Sequence, residues 1–133
     1  MDFFTEIHRA VHAIGTRVAD ELQITQPEAL VLYFLAEKGA APLEDIHRAF
    51  LHKRSTLTNV IIRLEQRGLI ERITTSSDRR RFDIRLTKSG RRIAAGVAKL
   101  FAGIARSSGA SLGDMSTAAK VLAKIARAEE APA

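Results

Sequence analysis

Arg54-Ser55-Thr56-Leu57-Thr58-Asn59-Val60-Ile61-Ile62-Arg63-Leu64-Glu65-Gln66-Arg67-Gly68 is the stretch whose reading decides the fold. Leu57, Val60, Ile61 and Leu64 recur at the i, i+3, i+4, i+7 spacing of one helical face. At about 100° per residue, Ser55, Asn59, Ile62 and Gln66 fall on the opposite side, with Thr56 and Arg63 on its flank. That outer face is short, polar and basic, without the Glu/Lys mixture of an ordinary solvated helix. Gly68 is placed to end the helix, as a residue able to take positive φ. Upstream, residues 43–50 read as a shorter helix whose early acids, Glu44 and Asp45, suit the positive end of the helix dipole. Residues 51–53 make the turn between the two. Downstream, β-biased runs at 69–74 and 82–87 flank Thr75-Ser76-Ser77-Asp78-Arg79-Arg80-Arg81. Phe82, Ile84 and Leu86 alternate with Asp83 and Arg85, the period of a half-buried strand. Helix, turn, helix and basic-tipped hairpin make a winged helix-turn-helix. Its exposed chemistry points to DNA.

Working outward, residues 2–22 predict a first helix with Phe4, Ile7, Val11, Ile14, Val18 and Leu22 on one stripe. Thr25-Gln26-Pro27-Glu28 is a capping-box pattern with proline in the first turn. The second helix then runs to Lys38 with Leu30, Val31, Phe34 and Leu35 inward, and Gly39 stops it. Ala40-Ala41-Pro42 is a short extended link, a candidate third strand beside the hairpin. Thr87 is placed to cap a fifth helix whose stripe is Ile93, Val97, Leu100, Phe101 and Ile104. Residues 107–111 break it. A last helix is expected at 113–128, with Met115, Ala118, Leu122 and Ile125 on one side and a frayed tail at 129–133. The expected fold is mainly α: one winged helix-turn-helix domain over 1–133, with a short β-hairpin wing. Its DNA-binding lobe covers about 26–88, and dimerisation helices cover about 2–22 and 89–128. A small winged core cannot cover all of the terminal stripes. Phe4, Ile7, Val11, Ile14, Val18, Val97, Leu100, Phe101, Ile104, Leu122 and Ile125 are therefore read as a dimerisation surface.

The net charge of +6 is uneven. Residues 1–47 hold three Lys and Arg against eight Asp and Glu, whereas residues 48–92 hold thirteen against four. The basic excess thus sits on the proposed reading helix and hairpin, where a polyanion would lie. On the helix, Arg54, Ser55, Thr56, Thr58, Asn59 and Arg63 are candidate contacts, with side chains able to reach base edges or phosphates. On the hairpin, Arg79, Arg80 and Arg81 suit phosphates and a narrow minor groove. Aromatic residues are only 5% and tryptophan is absent, against a base-stacking platform. With no cysteine, disulfides and thiolate zinc sites are excluded. No apolar run reaches the ~18 residues of a membrane span, and Asp2, Glu6 and Arg9 interrupt any leader-like pattern. A cytoplasmic location with no membrane partner is expected.

In its motifs the sequence resembles the MarR family of bacterial transcriptional regulators. The resemblance rests on Leu57-Thr58, Arg63-Leu64-Glu65, Arg67-Gly68-Leu69-Ile70-Glu71-Arg72, Asp78-Arg79-Arg80 and Leu86-Thr87-Lys88-Ser89-Gly90, in order and at the family's spacing. It implies a homodimer whose terminal helices interlock, with the reading helix in the major groove and a wing arginine in the minor groove. The matching wing pair is Asp78, shaping the hairpin, and Arg80. Arg85 matches a basic position before the closing Leu-Thr and joins the DNA-binding set. The resemblance further implies repression relieved by a small ligand held between the dimer helices and the DNA-binding lobe. The expected walls on helices one, two and five suggest an apolar or aromatic effector. Two positions depart from the pattern: Asn59 stands where a basic residue is frequent, and Ile62 where an acid is common. Ile62 could touch a thymine methyl, but is more often tucked against its neighbours.

Other chemistry has less support. His8 and His12 lie i, i+4, a spacing that can chelate metal, but nothing supplies the remaining ligands. They are read as surface or interface residues, with no metal and no cofactor. No phosphate-binding glycine loop or activated nucleophile is present, so no enzyme is expected. The alternative function is a winged-helix dimer serving as a protein–protein interaction module without sequence-specific DNA binding.

Overall fold

The computed structural model describes residues 2–74 and 80–130. Two compact units divide it, Met1–Leu100 and Phe101–Ala133. In the first unit, α1 (Phe3–Leu22) starts at Asp2. The Thr5 amide and hydroxyl donate to the Asp2 carboxylate at 3.1 and 2.9 Å, and these bonds hold its pKa below the ordinary value. α2 (Gln26–Lys38) carries the expected capping box. The Glu28 amide donates to Thr25 Oγ1 at 3.3 Å, and the Thr25 amide donates to Glu28 Oε1 at 2.9 Å.

The inward face of α2 differs from the sequence expectation. Val31 and Leu35 are buried, but so are Ala29 and Leu32, while Leu30 and Phe34 are only half-buried. The buried arc is rotated by about a quarter turn because the helix is covered on more than one side. Phe34 still packs edge-on against Phe50, with centroids 5.6 Å apart. A helix apolar around most of its circumference gives no single stripe to read.

Ala40–Pro42 does form a strand, β1, paired antiparallel with β3. α3 (Leu43–Phe50) and α4 (Arg54–Gln66) follow. β2 (Ile70–Thr74) and β3 (Phe82–Leu86) are paired with Ile70 opposite Leu86 and Thr74 opposite Phe82, giving the order β1-β3-β2. Leu57, Val60, Ile61 and Leu64 are all buried, as their spacing predicts. Ile46, Leu69, Ile70, Ile84 and Leu86 complete the core of this lobe.

The junction after the wing is tight. Thr87 Oγ1 accepts from the Gly90 amide at 3.0 Å, capping α5 (Lys88–Ser108), and donates to the Gly68 carbonyl at 2.6 Å. The Thr87 amide donates to the Leu69 carbonyl at 3.1 Å. Gly68 has φ 72°, the left-handed value expected of the residue ending α4. At Gly90 a Cβ would lie 1.8 Å from the Leu69 carbonyl oxygen, so only glycine fits.

The second unit holds the end of α5 and α6 (Leu112–Glu130). The α6 helix starts one residue earlier than expected and runs beyond Ala128 into the stretch read as frayed. Its start is fixed by Ser111, whose Oγ accepts from the Asp114 amide at 3.0 Å. No described residue of α6 is buried. Among the described residues no helix is long and apolar enough to cross a membrane.

Candidate nucleic-acid interface

The buried stripe of α4 turns its other side outward. Ser55, Thr56, Thr58, Asn59 and Arg63 are exposed, with Arg54 opening the helix. Ile62 is 39% exposed at the centre of this face and is not tucked away as expected. Its neighbours on the outer arc, Asn59, Arg63 and Gln66, are polar and exposed. The first turn has no acidic side chain and no side-chain cap. Its amides and the flanking Lys53 and Arg54 make the start of α4 a positive end suited to a phosphate.

The wing lies beside α4. Arg80 and Arg81 are exposed at the start of its returning arm. Asp78 and Arg79 lie outside the described residues, as do 75–77. Arg85 lies within β3. Its Nε donates to Glu71 Oε1 at 2.7 Å, across the directly opposed pair Glu71 and Arg85. It stays half exposed, but its charge is matched within the hairpin.

One arrangement escaped the sequence reading. Arg72 on β2 points back to α4, donating through Nε to Glu65 Oε2 at 2.9 Å and through Nη2 to Glu65 Oε1 at 3.0 Å. Its guanidinium carbon lies 4.6 Å from the centroid of the Phe82 ring on β3. Phe82 stands diagonally across the ladder from Arg72, on the same face. Glu65 and Arg72 were visible only as parts of a motif. Their pairing needs the turn at Gly68 and the hairpin register, which no local pattern encodes.

The residues assigned to dimerisation divide by burial. Phe4 and Val11 are 68% and 49% exposed, and Ile7 and Ile14 are half-buried. Val18, Val97 and Leu100, grouped on sequence with the partner-facing stripe, are covered within the chain itself. The first two pack the inner side of their helices because each stripe is wide enough to serve two neighbours. Phe101, Ile104 and Ile125 are half-buried, and Leu122 is exposed.

An open groove of about 390 Å³ runs along α1, lined by His8, Val11, His12, Gly15, Thr16 and Ala19, with Gln26 from α2. It is more polar than the expected effector walls, and α5 does not line it. The His8 and His12 rings stack with centroids 6.3 Å apart. Among the described residues no group of three or more His, Asp or Glu could hold a metal.

Comparison with known proteins agrees with this geometry. Residues 24–82 match the model of the MarR family. The HTH-type transcriptional regulator FarR of Neisseria gonorrhoeae is 30% identical over 76 residues, which cover 57% of this chain and 52% of that protein. The chain spans about half the length of the curated relatives it matches. Among solved structures, a DNA complex of S. aureus MepR superposes with a TM-score of 0.77 at 21% identity, covering 96% of this chain and 98% of that one. Bordetella bronchiseptica BpsR, solved in a study of how 6-hydroxynicotinic acid regulates its DNA binding, gives 0.75 at 24% identity, covering 92% and 95%. The stretch from Ile24 to Phe82 is thus similar to the MarR family, and the chain shares the winged-helix fold of the structures it superposes on.

Proposed function

We propose that this chain is a sequence-specific DNA-binding regulator of transcription. It binds an inverted-repeat operator as a homodimer in the cytoplasm and acts as a repressor. The carrying observation is the outer face of α4: five exposed hydrogen-bonding or cationic side chains between Ser55 and Arg63, no acid in the first turn, and the exposed Arg80 and Arg81 beside it. Groups that bond base edges lie on the helix, and long cations lie on the wing, the division that duplex recognition requires. Homodimerisation is supported by the uncovered apolar residues of α1. Repression, and its relief by a small apolar or aromatic effector, follow the family pattern. BpsR, whose DNA binding responds to 6-hydroxynicotinic acid, supports the effector class.

Titration of labelled duplexes at two salt concentrations tests the reading. Tight binding whose logarithm falls steeply with log salt, by about 0.9 per phosphate neutralised, supports it. An intact dimer that retains no duplex at low salt would sink it and favour the protein-interaction module instead.

A further inference from the structure

We infer that Glu65, Arg72 and Phe82 form a brace between reading helix and wing, and that Arg72 is a positioning residue that fixes the spacing at which the duplex is read. The inference rests on the DNA-binding reading and adds a device to it. Each member comes from a different element: Glu65 from α4, Arg72 from β2 and Phe82 from β3. The guanidinium is engaged on its edge by both carboxylate oxygens, at 2.9 and 3.0 Å, and on its face by the Phe82 ring at 4.6 Å. A planar fork held on edge and face has one orientation, which the point charge of lysine cannot reproduce.

Phe82 immediately follows Arg81 and stands two residues from Arg80, so whatever fixes Phe82 fixes where the wing cations begin. β2 is an edge strand, hydrogen-bonded only to β3, and the brace sits on the face of the hairpin turned towards α4. The charge of Arg72 is already matched. Using it on a phosphate would break two charged hydrogen bonds, so its part in recognition is played through the wing. Arg85 is likewise matched by Glu71. Two of the hairpin's arginines, Arg72 and Arg85, thus hold its shape.

The test is selection of bound duplexes from random DNA by the full-length protein and by Arg72→Lys and Glu65→Gln, with melting curves for each. The wild type should recover core half-sites with a flanking A·T preference at one fixed offset, where the wing meets the minor groove. Both variants should keep the core letters, lose or smear the flank, and bind the best wild-type duplex more weakly by about three- to tenfold, since an unfixed wing must be ordered on binding. The double variant should be no worse than either single one, because each change breaks the same fork. Variants that keep a sharp flank at the same offset overturn the brace and leave the DNA-binding reading standing. So does a loss of core and flank together in step with lowered melting, which marks a merely structural role. A wild type that recovers no motif overturns the DNA-binding reading itself, and the brace with it.

Discussion

α4 and α1 carry the same kind of apolar stripe, and the structure treats them oppositely. On α4 every member, Leu57, Val60, Ile61 and Leu64, is buried. On α1 only Val18 is, and Phe4 and Val11 stand in the open. The difference is one of neighbours. α4 has α2, β2 and the core strands around it, so its stripe is satisfied within the chain. α1 packs on α2 and leaves Ile7 and Ile14 half-buried and Phe4 and Val11 exposed. The α4 stripe is thus covered within the chain, whereas part of the α1 stripe needs cover from elsewhere under the proposed function. In that reading the cover is a second copy.

The comparison can be broken first at the lobe. Gly90→Ala should have the largest effect, because its methyl would meet the Leu69 backbone oxygen and no side-chain rotation relieves that clash. A loss of about 3 kcal/mol or more is expected in denaturant unfolding, with DNA binding falling alongside. A near-wild-type midpoint would mean the junction between wing and α5 is looser than described. At α1 the expected result is of a different kind. Val11→Asp should dissociate the dimer in sedimentation while leaving the helix content of the chain in place, since this residue touches solvent in the single chain. Unfolding instead of dissociation would make α1 part of the same core as α4.

Smaller effects sharpen the role of each region. Asn59→Ala should cost about 1–3 kcal/mol on the preferred duplex and little on a scrambled one. Arg81→Ala should weaken both duplexes together and lower the salt slope by roughly one. Arg85→Ala should be the mildest, within about 1 kcal/mol on either duplex, because it gives up a half-exposed pair with Glu71. A loss at Arg85 as large as that at Arg81 would return Arg85 to the DNA-contacting set.

How much of this was legible depends on how local the signal was. The α4 stripe, the Thr25 and Glu28 capping box, the stop at Gly39 and the alternation of Phe82, Ile84 and Leu86 were readable because each is fixed within one or two turns of chain. Even β1 was anticipated from three residues, since Ala40-Ala41-Pro42 can be little else between two helices. What failed was long-range. The rotated face of α2 follows from its being covered on several sides, and Leu32 looks like any leucine until its neighbours are known. The intrachain burial of Val18 and Val97 needs to know which side of a wide stripe meets its own chain. The Glu65–Arg72 fork joins residues on either side of a turn. In the candidate interface, the exposure of the α4 residues follows from their place on the helical face. The matched charge of Arg85 became visible only with the strand register.

The most direct measurement is the form of the DNA that the protein selects. A second copy covering α1 presents two reading helices related by a two-fold axis. Duplexes enriched from random DNA should then carry an inverted repeat, with half-site centres about 10 base pairs apart, one helical turn. Enrichment of a single asymmetric site, bound by one chain, would contradict the symmetric dimer and the role given to the open face of α1.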